Sequence, residues 1–82
     1  VIRYRLVYDP VAEKAHEAMD AAGRTRFDAA LAATVALDPY GHGSSAVNGE
    51  RDRRDATVEG VIIRYYVGGS VLTVTVVRVV SL

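Results

Sequence analysis

Residues 62–79 read IIRYYVGGSVLTVTVVRV, two apolar, β-branched runs on either side of a double glycine. Val, Ile, Tyr and Thr suit a pleated, half-buried surface, and glycine reaches the positive φ angles of a tight primed turn without steric cost, so the stretch predicts a β-hairpin. With Gly68 and Gly69 as the two turn residues, Ile62 faces Thr75, Arg64 faces Thr73 and Tyr66 faces Val71. The alternate set, Val61, Ile63, Tyr65 and Val67 with Leu72, Val74 and Val76, is more uniformly apolar and is assigned to the buried face.

Working outward, a further strand is expected at about Arg53 to Val58, preceded by a surface loop, YGHGSSAVNGE, over residues 40–50. Upstream, IRYRLVY (residues 2–8) alternates with the period of a half-buried strand. Asp9 and Pro10 then start a helix, the carboxylate capping free amides and the proline sitting where no donor is needed. Val11, Ala15, Ala18, Met19 and Ala22 form its stripe, and Gly23 is its expected stop. Thr25 with Asp28 opens a second helix whose buried stripe is Phe27, Ala30, Leu31, Thr34 and Val35, closed by Leu37, Asp38 and Pro39.

The order β-α-α-β-β-β predicts an α+β fold, a two-helix hairpin packed on one face of a four-stranded, mainly antiparallel sheet. At 82 residues it is read as a single domain, residues 1–82. Ten basic and ten acidic residues cancel, so attraction to a polyanion must come from local clustering. Cysteine is absent, which excludes disulfides and thiolate metal sites. No apolar run approaches the roughly 20 residues of a membrane span, and a soluble cytoplasmic chain without membrane association is the expectation.

Parity places Arg64, Tyr66, Thr73 and Thr75 on the open sheet face, with Arg3, Arg5, Arg53, Asp55 and Thr57. Arginine beside tyrosine and threonine suits phosphate contacts and base stacking, although any solvated sheet face carries polar residues. The same parity puts Arg78 on the helix side, where its charge needs a partner such as Glu59, or a bulge that turns it outward. His42, in GHGS, is a candidate base on an edge loop or simply an exposed histidine; His16 lies off the helix stripe and is expected to be exposed. Glu50, Asp52, Asp55 and Glu59 alternate with arginines and read as surface pairs. No metal and no cofactor is expected.

The segments YRLVYDPVAEKA, DPYGHGS, RDRRDA and the closing hairpin, in this order, resemble the RelE/ParE superfamily of bacterial toxins. The resemblance implies a toxin of a type II toxin-antitoxin module, neutralised by a cognate antitoxin. It implies either metal-independent cleavage of mRNA on the ribosome or inhibition of DNA gyrase. For the RNase activity it implies RNA lying across the open sheet face, with Arg53, Arg64 and His42 as catalytic candidates and Arg3, Arg5, Arg51, Arg54 and Tyr66 as RNA contacts. Arg51, Arg53 and Arg54 match the family's basic cluster in position. Arg64 falls near its sheet arginine, although the family's order of tyrosine, arginine, two aliphatics and tyrosine is not kept in register. Ser81 and Leu82 stand where the family's cationic tail begins, so gyrase inhibition and partner binding without catalysis stay open. A long final strand at a sheet edge would itself invite a partner.

Overall fold

Three long strands, β3 (Glu50–Val58), β4 (Val61–Gly68) and β5 (Thr73–Ser81), form an antiparallel meander at the centre of the computed structural model, which describes residues 2–81. Val58 and Val61 close the first hairpin around Glu59 and Gly60, both at positive φ (51° and 74°), the geometry of a two-residue primed turn.

The second hairpin differs from the sequence expectation. Gly68 pairs with Thr73, and a 3-10 turn over Gly69–Val71 leads into Leu72, which takes the left-handed conformation at φ 48°. Ile62 therefore faces Val80, Arg64 faces Arg78 and Tyr66 faces Thr75. A two-residue turn would leave Val77 to Ser81 overhanging the end of β4. The wider turn lets β5 pair to its end, where Ser81 meets Val61. Because Tyr66 moves from residue 71 to residue 75, an even step, the expected faces survive the slip.

A bulge then breaks that parity. Tyr65 faces Val76 but Arg64 faces Arg78, so one extra residue of β5 is inserted. Beyond it Val79 is buried and Arg78 is exposed, the outward of the two expected alternatives. Among the described residues Arg78 makes no ion pair with Glu59.

Two further strands complete the sheet. β1 (Arg5–Tyr8) lies parallel to β5, from Arg5 beside Thr73 to Tyr8 beside Val76. β2 (Ser45–Val47) forms inside the expected loop, because Asn48 and Gly49 at φ 53° and 78° make a second primed turn and fold it onto β3. The sheet has five strands in the order β1-β5-β4-β3-β2. The final strand is interior, not an edge.

Both helices cover one sheet face. α1 (Pro10–Glu17) is capped as expected, with the Asp9 carboxylate accepting from the Ala12 amide at 2.9 Å, and it packs on β1 and β5. It stops early because Asp20 caps a new helix, α2 (Ala21–Ala33), by accepting from the Gly23 amide at 3.2 Å. Gly23 is thus the residue that lets this cap close: a Cβ there would stand 2.6 Å from Asp20 Oδ1. Thr25 lies within α2, its hydroxyl donating to Ala21 O. Ala12 and Ala15 of α1 face inward together with Met19 just beyond its end, while Val11, Ala18 and Ala22 are exposed. Phe27, Leu31 and Val35 are buried as expected, against Val61, Ile63, Tyr65, Val67, Val74 and Val76. His16 is half-buried between the rings of Tyr8 and Phe27, with Nε2 2.6 Å from Asp28 Oδ1, so it ties α1 to α2. Burial and the Asp28 charge push the Tyr8 phenol up to about 12. No described helix is long and apolar enough to cross a membrane.

Candidate functional site

Strand β3 sends alternate side chains to opposite faces, and its arginines divide accordingly. Arg53 stands on the open face across from Tyr66, its guanidinium carbon 5.7 Å from the ring centroid, with Glu50 Oε2 3.5 Å from Nη1. Among the described residues, Arg53 Nε is the one buried side-chain nitrogen or oxygen without a hydrogen-bond partner. Unpartnered buried donors are rare in folded proteins and call for an explanation, a bound ligand among them.

One pair further along, Asp55 and Arg64 face each other. Arg64 donates from Nε to Asp55 Oδ1 at 2.7 Å and from Nη2 to Oδ2 at 3.0 Å, a two-pronged ion pair. Those hydrogen bonds hold the Asp55 carboxyl below its ordinary range, opposed by partial burial and reinforced by the charges of Arg64, Arg78 and Arg53. Asp55 stays ionised near neutrality and carries no proton for acid catalysis. Arg78 follows across β5, and with Asp55, Arg64, Ile62 and Val80 it lines an open cavity of about 190 Å³.

Arg54, the neighbour of Arg53, points the other way and is buried. Its Nε donates to Ser44 Oγ, Nη1 to Arg51 O, and Nη2 to the carbonyls of Tyr40 and Ser44, at 2.9 to 3.3 Å. This guanidinium replaces the backbone partners that an irregular loop lacks. Tyr65 serves the same loop, donating its hydroxyl to Pro39 O at 2.6 Å. Arg51 stacks on Tyr40, 3.9 Å from its centroid, and the Tyr40 hydroxyl donates to Asp52 at 2.6 Å, which raises the Tyr40 pKa.

Neither the protein-family models nor the curated proteins give a match to this sequence. Solved structures do. A chain of the toxin-antitoxin complex RelBE2 from Mycobacterium tuberculosis is similar at TM-score 0.80 and 13% identity, over 99% of this chain and 100% of that one. The isolated RelE toxin of E. coli is similar at TM-score 0.76 and 21% identity, over 95% and 83%. A chain of the archaeal RelE-RelB complex from Pyrococcus horikoshii is similar at TM-score 0.68 and 14% identity, over 96% and 94%. This chain has the RelE fold.

On that RelE fold, the open face brings Arg53, Arg64 and Tyr66 together as the sequence predicted. The other five candidates lie apart from that group. Arg54 is withdrawn from the open face, because its donors are used by the loop carbonyls. Arg51 belongs with Tyr40 and Asp52. Arg3 reaches back toward α2, its Nη1 3.5 Å from Ala32 O, since the chain there bonds to the segment after that helix through Tyr4 N and Ala36 O. Arg5 shares the open face by register, but it sits beside Thr73 on the edge strand β1, with β5 and β4 between it and β3. His42 is exposed at φ 54° in the loop before β2. Among the described residues no group of three or more His, Asp or Glu side chains is placed to hold a metal ion. Arg78 was missed as a site residue because simple alternation cannot register a bulge. The comparison of the C-terminal tail rests in part on Leu82, outside the described residues.

Proposed function

We propose that this chain is the toxin of a type II toxin-antitoxin module and that its open sheet face takes single-stranded mRNA. The observation that carries the reading is Arg53, with a buried, unpartnered Nε beside the exposed ring of Tyr66, on a face that also holds two further arginines. A stacking ring next to a cation is what a single strand needs, a platform for a base and a counter-charge for its phosphate. Structural neighbours that were crystallised in toxin-antitoxin complexes support an antitoxin as the protein partner.

The chemistry that fits such a face is transesterification. The 2′-oxygen of one nucleotide attacks the adjacent phosphorus, the bond to the 5′-oxygen of the next nucleotide breaks, and a cyclic phosphate and a free 5′-hydroxyl result. Arg53 and Arg64 neutralise the charge that builds on the phosphorane oxygens. Asp55, ionised and held by Arg64, positions that guanidinium. His42 is the candidate to accept the 2′-proton from the loop, and water or the ribosome supplies the proton to the leaving oxygen.

Controlled expression without a partner, with pulse incorporation of labelled methionine and thymidine, tests the reading. A prompt fall in methionine incorporation, abolished by Arg53→Ala with Arg64→Ala, is expected. Loss of thymidine incorporation first would replace it with gyrase inhibition.

A further inference from the structure

Asp55 stands between two hollows of the open face. On one side lie Arg64 and Arg78. On the other, Asp55 and Thr57 of β3, Ile62 of β4, Ser45 of β2 and Gly43 in the loop before it border an open cavity of about 180 Å³. Register puts the four strand side chains on one face, since Ser45 pairs with Asp55 and Thr57 with Ile62. Their chemistry differs from that of the arginine hollow. Ile62, partly exposed, is an apolar wall. Ser45 and Thr57 carry exposed hydroxyls, each able to donate or accept. Asp55 is ionised and can only accept. Arg64 takes one lone pair on each of its oxygens, which fixes the carboxylate in place and leaves further acceptor capacity on both.

We infer that this second hollow is a nucleobase pocket, selective for a base that carries an amino group beside an unprotonated ring nitrogen. Adenine and cytosine present that pair on their Watson–Crick edges, a donor for Asp55 and next to it an acceptor for the hydroxyl of Thr57 or Ser45. Uracil presents the reverse, a carbonyl oxygen beside an N–H, and its oxygen would meet the carboxylate. A site arranged to pair with a donor rejects an analogue that brings an acceptor, because its polar groups are then left unpaired or repelled. Ile62 supplies apolar surface for the ring. The pocket presupposes the RNA face proposed above and gives that face a base preference, at a position separate from the stacking ring of Tyr66.

Fluorescence anisotropy with 5′-labelled pentamers of 2′-O-methyl adenosine, cytidine and uridine, all at one salt concentration, is the test. The methyl group blocks the attacking oxygen, so binding is read without cleavage. The adenosine and cytidine pentamers are expected to bind about tenfold tighter than the uridine pentamer. Asp55→Asn, whose amide can donate to uracil, should bring that ratio below about twofold, and Thr57→Val should lower it about threefold. An Asp55 that only positions Arg64 would instead weaken all three pentamers alike in Asp55→Asn and leave the ratio unchanged, which overturns the pocket. Equal binding of the three pentamers by the parent chain also overturns the pocket and leaves the RNA face standing. No binding of any pentamer by the folded chain overturns the RNA face and the pocket with it.

Discussion

Arg53 and Arg54 are neighbours in sequence and opposites in role, and their comparison separates the two faces of this fold. Arg54, on the helix side, spends its donors on Ser44, Arg51 and Tyr40. Arg53, on the open side, keeps a buried donor without a partner. One face uses its arginine to hold a loop together, and the other leaves arginines available. Position within the strand, not residue type, decides which is which.

The strongest way to break this comparison is to exchange the consequences. Arg54→Ala leaves three carbonyls without their donor and is expected to cost about 3 kcal/mol in urea unfolding, because losing charge-assisted bonds in a buried site carries both the bond and the desolvation penalty. Arg53→Ala should cost about 1 kcal/mol or less while abolishing growth arrest. Equal losses of stability would contradict the division of roles. Tyr65→Phe, which removes the hydroxyl bonded to Pro39 O, sharpens the same point on a neighbouring strand at an expected cost of about 1 kcal/mol. The measurement is again the denaturation midpoint.

Asp20→Ala should cost a similar or smaller amount, about 1 kcal/mol, by removing the cap that starts α2 and ends α1. Far-ultraviolet circular dichroism on melting reads it. The smallest effect belongs to the Asp55 ion pair, which is partly exposed. Because the folded pKa of Asp55 is depressed, its contribution is present above the unfolded value of about 3.9 and is lost as pH falls through the folded pKa. Melting temperatures from pH 7 to pH 2 should fall less on the acid side in Asp55→Asn than in the parent chain. A parallel fall would mean that the pair contributes nothing to stability.

The meander was legible because every second residue from Val61 through Ile63 and Tyr65 to Val67 is apolar, a signal that outlasts a register error of even length. The helix break was misread by several residues because Gly23 and Thr25 resemble stop and start signals. Asp20, three residues before an amide it can accept from, was the stronger cap. His16 was misplaced with its helix stripe, since the aromatic slot between Tyr8 and Phe27 exists only in three dimensions. The Asn48–Gly49 pair was a readable signal for the short hairpin that makes β2. For the site, Arg53, Arg64 and Tyr66 followed from parity. The role of Arg54 did not, because nothing local announces that a loop lacks donors, and the outward turn of Arg78 depended on a bulge that no periodicity encodes.

Primer extension on ribosome-bound mRNA, with the purified chain and its Arg53→Ala variant side by side, tests the central claim most directly. The account predicts discrete cleavage within ribosome-protected mRNA by the parent chain, and its loss in the variant at an unchanged folded fraction. Cleavage that persists in the folded variant would contradict a role for the open face, and intact mRNA with the parent chain would contradict the nuclease itself.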